Sequence, residues 1–135
     1  MKKEEVFQIQ RGDYFLYHGE VVKVTGRSPY NENHYTVVNK NGSKFYAEVE
    51  ELEPIVLNEY VFNQIGVQKI SKENFAPRYV SDTFNCTVRE WSGDEHRIDY
   101  ISVAGNSIFI WEGFAYLHFL QNALRLFGVE VELKQ

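Results

Sequence analysis

One short stretch gathers the residue types that most often do chemistry: Asp94, Glu95 and His96 are consecutive, and Asp99 follows closely. A carboxylate beside an imidazole can exchange protons with a substrate or hold a metal ion. The tip of a polar β-hairpin is built from the same residue types, however, and residues 92–94 have a typical turn composition. We interpret the group as a candidate acid–histidine cluster and favour the hairpin tip as its explanation.

The other histidines, His18, His34 and His118, stand at no spacing that is typical of metal ligands. We interpret all of them as surface or rim residues. The glycines are scattered over predicted turns and form no phosphate-binding loop and no nucleophile elbow. We therefore predict no catalytic residues, no metal site and no cofactor, which indicates a protein that is not an enzyme.

The composition sets wide limits on the class of protein. The chain has 135 residues, of which 44% are hydrophobic and 16% aromatic, enough for one domain or two very small ones. The net charge is -5 and neither half of the chain is basic, so nucleic-acid binding is disfavoured. The chain has no apolar run of the roughly 18 residues that span a membrane, and its charged start precedes no signal-like apolar region.

The single cysteine, Cys86, excludes an intramolecular disulfide, which suits a reducing compartment. It shares one face of a predicted strand with Phe84 and Val88, and this pattern indicates a small buried hydrophobe. We predict a cytoplasmic protein without a membrane segment.

The first part of the chain, residues 1–57, is predicted to be a β-module. Hairpin turns are expected at His18-Gly19 and at Asn41-Gly42, and residues 26–33 form a polar loop between the two hairpins. The predicted strands are 6–9, 13–17, 20–25, 34–39, 43–48 and 55–57. Residues 50–54 interrupt the strand pattern. Short strands at this spacing are typical of a small SH3-like β-barrel.

The second part, residues 58–135, is predicted to be an α+β module that packs with the first part as one body. Asn58 caps a short helix that Gly66 ends. An antiparallel meander follows, with predicted strands at 83–91, 96–103 and 107–112 and an optional fourth at 78–80. A helix at 114–127 packs on this meander, and residues 129–133 form a closing edge strand. The predicted fold class is therefore α+β.

The predicted C-terminal helix has little polar surface. Its polar residues, His118, Gln121, Asn122 and Arg125, fall within an arc of about 100°. We expect burial on two sides, either between the two modules or against a partner chain, and favour the first arrangement.

Aromatic residues are dense in the β-module, and strand alternation sends Tyr14 and Phe15 to opposite faces. Some rings must therefore lie outside the barrel. We predict a binding face for a peptide or a nucleobase at Tyr17, Tyr30 and Tyr35, the tyrosines nearest the loops. The acidic run Glu48, Glu50, Glu51 and Glu53 is interpreted as a solvated rim, with a surface for a basic partner as the alternative.

Three segments together resemble a family of small uncharacterised proteins from Bacteroidetes genomes and their phages and prophages. The segments are Gly12–Val24, Val49–Leu57 with the following helix to Val67, and Tyr116–Leu133. This chain has Phe119 where the family has a polar residue. The resemblance implies a phage or mobile-element protein, and it implies no activity and no catalytic residues.

The leading hypothesis is a non-enzymatic interaction module that binds a protein partner or forms a homo-oligomer. The missing catalytic pattern and the surplus of aromatic and apolar residues support it. A single-stranded nucleic-acid binder that uses the barrel aromatics is the alternative. A small enzyme with a cleft between the modules, around Asp94, Glu95, His96 and Asp99, is the further alternative.

Overall fold

The structure is a computed structural model that describes residues 9–30, 33–70, 78–90, 96–109 and 115–134. It describes only the backbone of residues 89, 90, 96, 99 and 107–109. The chain divides into two compact units, Met1–Ile55 and Val56–Gln135. Our predicted boundary lies two residues later, and the packing of the units as one body stays a prediction. Within the described ranges, no helix has the length and hydropathy needed to cross a bilayer.

The first unit contains a curled, five-stranded antiparallel sheet. Its elements are β1 (Tyr14–Tyr17), β2 (Glu20–Arg27), β3 (His34–Asn39), β4 (Lys44–Glu48), a 3-10 turn (Val49–Glu51) and β5 (Leu52–Glu53). The strand order is β4-β3-β2-β1-β5, so the last strand returns to pair with the first. Strands β1 to β4 confirm the two predicted hairpins. The predicted strand at 6–9 lies almost wholly outside the described residues.

The last strand of this sheet is not where the sequence pattern predicts it. Leu52 lies opposite Tyr17 in the β1–β5 ladder, and its side chain is completely buried. Burying this leucine in the core favours pairing at residues 52–53 rather than at 55–57. Val56, inside the predicted strand, makes only an isolated bridge with Tyr116.

The core of the first unit lies on one face of its sheet. Alternate residues of the strands supply it, which are Phe15, Val22, Val24, Tyr35, Val37, Ala47 and Leu52. A β-bulge interrupts the alternation in β2, because Val24 pairs with Val37 and Gly26 with Thr36, which leaves Thr25 as an extra residue. A bulge bends its strand and increases the local twist, and the sheet curls around the core.

The second unit contains another antiparallel sheet and two described helices. Its elements are α1 (Glu59–Gln64), β6 (Gln68–Lys69), β7 (Arg78–Val80), β8 (Asn85–Glu90), β9 (His96–Val103), β10 (Asn106–Phe109) and α2 (Leu117–Arg125). The strand order is β10-β9-β8-β7-β6. This confirms the predicted meander with its fourth strand at 78–80. Strand β6 was not predicted because two residues carry no readable periodicity.

A second bulge changes the faces that simple alternation gives for β9. Thr87 pairs with Tyr100 and Val88 with Ile98, so the backbone of Asp99 is an extra residue in β9. One extra residue reverses the alternation on one side of it. Ile98 and Ile101 are therefore both buried, although simple alternation places them on opposite faces. The face of β8 that carries Phe84, Cys86 and Val88 is buried as predicted.

Residues that are visible in the sequence cap the N-terminus of α1 and the C-terminus of α2. The Asn58 side chain accepts a hydrogen bond from the backbone N–H of Val61 at 2.8 Å and caps α1. After α2, Gly128 donates to the Arg125 carbonyl at 3.0 Å and Val129 donates to the Leu124 carbonyl at 3.1 Å. These two bonds make a Schellman motif around a glycine with φ +76.

The flanks of α2 differ from the prediction. Residues 115 and 116 are not helical, because the Ala115 carbonyl accepts a hydrogen bond from Leu57 at 2.7 Å and Tyr116 bridges Val56. Residues 129–133 form no strand. A backbone hydrogen bond from Lys134 to the Gln64 carbonyl, at the end of α1, and the burial of Val131 hold this segment instead, and the end of a helix offers no strand ladder to pair with.

Helix α2 is covered along its whole length. No residue from Leu117 to Arg125 is exposed, and the predicted polar arc is itself largely buried: His118 is 0% exposed and Gln121 is 1% exposed. The reading of His118 as a surface residue is therefore wrong. Its ring lies 4.4 Å from the Phe119 ring and 6.0 Å from the Tyr116 ring, measured between centroids.

Replacing Gly128 tests the end of α2. We expect Gly128→Ala to lower the free energy of unfolding by about 1–2 kcal/mol, since an L-residue is strained at positive φ, although no neighbouring atom lies where the new Cβ would stand. Gly128→Asn should cost less, and Gly26→Ala is the matched control because Gly26 has open space without a positive φ. Urea unfolding followed by circular dichroism measures all three, and equal losses for the two alanine variants would contradict the assignment.

Candidate functional site

The turn between β1 and β2 holds a histidine in an unusual backbone conformation. His18 has φ +51 and Gly19 has φ +80, the paired positive values of a type I′ hairpin turn. Glycine and asparagine are the residues this turn favours, and histidine is one of the few others that enter the left-handed region. The turn therefore places an imidazole at a position where glycine or asparagine would cause less backbone strain.

The imidazole of His18 lies between an aromatic ring and a carboxylate. Its Nε2 is 3.0 Å from Oε2 of Glu51, and its ring centroid is 4.3 Å from that of Tyr17. Two-thirds of the His18 side chain remains in contact with solvent. The contact joins the β1–β2 turn to the 3-10 turn, which are far apart in sequence.

Two carboxylates lie close together in the chain at this point, Glu48 as the last residue of β4 and Glu51 as the last residue of the 3-10 turn. Oε1 of Glu51 accepts a hydrogen bond from the backbone N–H of Glu48 at 3.0 Å, the reverse half of a capping box. Oε1 of Glu48 is 3.4 Å from Nε2 of His34, which lies opposite Glu48 in the β3–β4 ladder. The turn thus fixes both carboxylates relative to the sheet.

Two aromatic rings complete the site at the edge of the core. The centroids of Tyr17 and Phe45 are 5.6 Å apart and their planes are inclined by 41°. Both rings pack against the buried core, and both remain half-buried rather than enclosed. We name the group of residues joined by these contacts the Tyr17 cluster. Its members are Tyr17, His18, His34, Phe45, Glu48 and Glu51.

The electrostatics of the cluster favour an ionised Glu51. The hydrogen bond from the Glu48 backbone N–H is the main cause that holds the pKa of Glu51 below its ordinary value. Partial burial opposes this effect, and His18 and His34 lower the pKa further. The pKa of Tyr17 is raised, first by burial and then by the negative charge of Glu51, so the phenol stays protonated and can donate a hydrogen bond.

The structure does not place the three predicted binding tyrosines on one face. Tyr17 belongs to the cluster just described, whereas Tyr35 is only 8% exposed and lies in the core. Tyr30 is 84% exposed, and its ring makes an edge contact at 6.1 Å with that of Tyr46, which projects from the opposite face of β4 to Phe45. Strand alternation separates Tyr46 from Phe45, whereas Tyr17 and Tyr35 both lie on the core face of the sheet and differ in how deeply they are buried.

The predicted acid–histidine cluster cannot be assembled from the structure. Asp94 and Glu95 lie outside the described residues, as do the side chains of His96 and Asp99. The backbone shows only that Asp99 occupies the bulge of β9. Among the residues that the structure does describe, no group of three His, Cys, Asp or Glu side chains could hold a metal ion.

Sequence reasoning noted the parts of the Tyr17 cluster but did not join them. His18 was interpreted as a surface turn residue, and Glu48 and Glu51 as part of a solvated rim. The pairing of Tyr17 with Leu52 brings the 3-10 turn beside the β1–β2 turn. A correct prediction of β5 would have revealed this proximity, because Glu51 directly precedes Leu52.

Comparison with known proteins does not assign the cluster to a known site: no protein-family model, no curated protein and no solved structure matches this chain. We therefore infer the function from the geometry of the described residues.

Substitution at the turn tests what the His18 contact contributes. Ala104 has the same φ of +51 before a glycine in the β9–β10 turn, and it is the matched control. We expect Ala104→Asn to raise the free energy of unfolding by about 0.5–1 kcal/mol, because asparagine suits this turn. His18→Asn should gain less, because it loses the contact with Glu51. Urea unfolding of both variants makes the comparison, and an equal or larger gain for His18→Asn would show that the contact adds no stability.

The lowered pKa of Glu51 predicts a dependence of stability on pH. A carboxyl whose pKa is lowered by folding contributes stability above its ordinary value, here 4.5, and loses that contribution as the pH falls through the lowered value. Glu51→Gln should therefore lower the thermal midpoint at neutral pH, and its difference from the wild type should shrink as the solution is acidified below that range. Melting curves at a series of pH values measure this, with Glu53→Gln as the control from the same segment. A difference that stays constant with pH would be inconsistent with the assignment.

Proposed function

We propose that this protein is a non-enzymatic protein-interaction module that uses the Tyr17 cluster to bind a protein partner or a second copy of itself. The proposal includes a cytoplasmic location, which a chain with one cysteine suits. It also includes origin in a phage or mobile element of the Bacteroidetes, for which the resemblance of the three sequence segments is the support.

The proposal takes the first unit to be an SH3-like barrel. Three features support this: a meander of four strands, a 3-10 turn after β4, and a short last strand that returns to β1. Small barrels of this kind serve many functions, so the fold alone selects none of them.

The half-exposed pair of Tyr17 and Phe45 is the observation that carries the proposal. Aromatic residues are enriched at protein interfaces, and tyrosine in particular combines a large apolar area with a polar group. Both rings are supported from below by the core, so a partner would not have to order them. His18 and Glu51 lie beside the Tyr17 ring, as polar residues do at the rim of an interface with an apolar centre.

A second candidate function is supported by Tyr30 and Tyr46. Their exposed rings could stack on the bases of a single-stranded nucleic acid. The net charge of -5 opposes the binding of a phosphate backbone. Binding of an oligothymidine that weakens steeply with salt and disappears in Tyr46→Ser would favour this function over the first.

Site-specific photo-crosslinking in cells tests the main proposal. A benzophenone amino acid replaces Tyr17 in one variant and Tyr46 in a matched control, and mass spectrometry identifies the captured species. We expect position 17, and not position 46, to capture a protein, because the Tyr17 cluster is the proposed interface. Capture of a second copy, together with a dimeric mass in solution, would identify the homo-oligomeric form.

No crosslink at position 17, or crosslinks only at position 46, would refute the proposal. Circular dichroism of each variant shows that the replaced side chain has not unfolded the protein.

A further inference from the structure

The second unit carries a groove of its own. It lies between α1, the edge strand β6 and the C-terminal segment, and its volume is about 560 Å³, which is within the range of ligand-binding sites. We propose that this groove binds a carboxylate carried by an extended peptide segment of a partner protein. The proposal goes beyond the function of the Tyr17 cluster, which belongs to the first unit.

Three elements of the second unit form the walls of the groove. Glu59 and Asn63, one helical turn apart on α1, form one wall, and residues 66–69 form another. Lys134 lines the groove from the C-terminal segment, and its backbone N–H donates to the Gln64 carbonyl at 2.8 Å. This bond fixes the C-terminal segment against the end of α1. Since most of the lining side chains are polar, the groove suits a polar ligand.

The strand on one wall has an open edge. Ile70 donates to the Arg78 carbonyl at 3.0 Å, and alternate residues of an antiparallel ladder bond to the partner strand, so the backbone N–H and C=O of Lys69 point away from β7. The N–H of Val67 also points away from β7 and donates to the Phe62 carbonyl of α1 at 2.9 Å. Among the strands that the structure describes, none pairs with β6 on this side. An extended peptide can therefore add to the sheet at Lys69.

Two lysines supply positive charge to the groove from different walls. Lys69 lies opposite Tyr79 in the β6–β7 ladder and shares its face of the sheet. Helix α1 covers that face, because the ring of Phe62 stacks on that of Tyr79 with 3.8 Å between the centroids. Lys69 is consequently half-buried, whereas Lys134 is exposed. A carboxylate has two oxygens and can accept charge-assisted hydrogen bonds from both lysines.

Glu59 limits how much negative charge the ligand can carry. Burial is the first cause that raises the pKa of Tyr79, and the negative charge of Glu59 is the second, so this carboxylate acts on the same face of the sheet as Lys69. A nucleic acid would bring several phosphates and place some of them near Glu59, and the net charge of -5 opposes it as well. A purely apolar segment would bury the lysines without partners. One carboxylate on an otherwise neutral peptide satisfies the groove.

The test is an amide NMR titration of the full-length protein with short N-acetylated peptides of serine, threonine and valine. Four forms combine a free or an amidated C-terminus with a central glutamate or glutamine, so that one form has no carboxylate. We expect a carboxylate form to bind about fivefold or more tightly than that one. Binding of the free C-terminus alone identifies a terminal carboxylate, and binding of the amidated glutamate form identifies a side chain.

The same titration locates the peptide. We expect the amide signals of residues 66–69 to shift most, and hydrogen exchange at the Lys69 amide to become slower, because the added strand accepts a hydrogen bond from it. A glutamate peptide that is N-methylated at every amide cannot pair as a strand, and it should bind more weakly than the unmethylated form.

Variants test the charges of the groove. Lys69→Gln and Lys134→Gln should each weaken the carboxylate peptide by about threefold or more, and Lys40→Gln, an exposed lysine of the β3–β4 turn, is the matched control that should change the affinity less than about twofold. Glu59→Gln should tighten binding, because it removes negative charge from the groove. Asp82→Asn, at an exposed residue between β7 and β8, is its control. Circular dichroism shows that each variant is folded.

Four results would overturn the inference. They are equal binding of the peptides with and without a carboxylate, equal losses in Lys69→Gln and Lys40→Gln, equal binding of the N-methylated peptide, and tighter binding of an oligothymidine than of the carboxylate peptide. Crosslinking at position 17 tests the Tyr17 cluster separately, so either proposal can fail while the other stands.

Discussion

The alternation of side chains along a β-strand decides on which face of the first unit's sheet each aromatic ring lies. Phe15 enters the core completely, and Tyr17, two residues later on the same face, reaches only the core's edge. Phe45 meets Tyr17 at that edge, whereas its neighbour Tyr46 projects from the other face and contacts Tyr30. The same constraint that builds the core thus produces two separate aromatic surfaces.

Two short turns convert this edge into a site. The type I′ turn after β1 holds His18 with positive φ, and the 3-10 turn before β5 presents Glu51 to it at 3.0 Å. Neither turn could form the site alone. The ladder between β1 and β5, with Tyr17 opposite Leu52, brings them together. The backbone of His18 lies in a region that strains most residues, and its side chain contacts both a ring and a carboxylate.

The sequence predicts the local structure of some elements better than that of others. The Asn58 cap of α1 and the glycine that follows this helix, Gly66, were predicted correctly because each depends on a few neighbouring residues. Simple alternation gives the wrong faces for β9, because the bulge at Asp99 cannot be recognised from the hydrophobic pattern. The burial of His118 was missed for a different reason, since a helix that is covered all round has no solvent face on which to place its polar residues.

By itself the sequence determined a mixed α and β chain with antiparallel sheets, two hairpins in the first unit, and the cap of its first helix. These features depend on turn residues, caps and periodicity, which act over a few residues. Only the tertiary structure decided that β5 lies at Leu52–Glu53 and that Tyr35 is core while Tyr17 is not. Both outcomes depend on which strands pair across long distances in the sequence. The burial of Leu52 beside β1 favours this pairing, and the contacts involved cannot be recognised from a local sequence pattern.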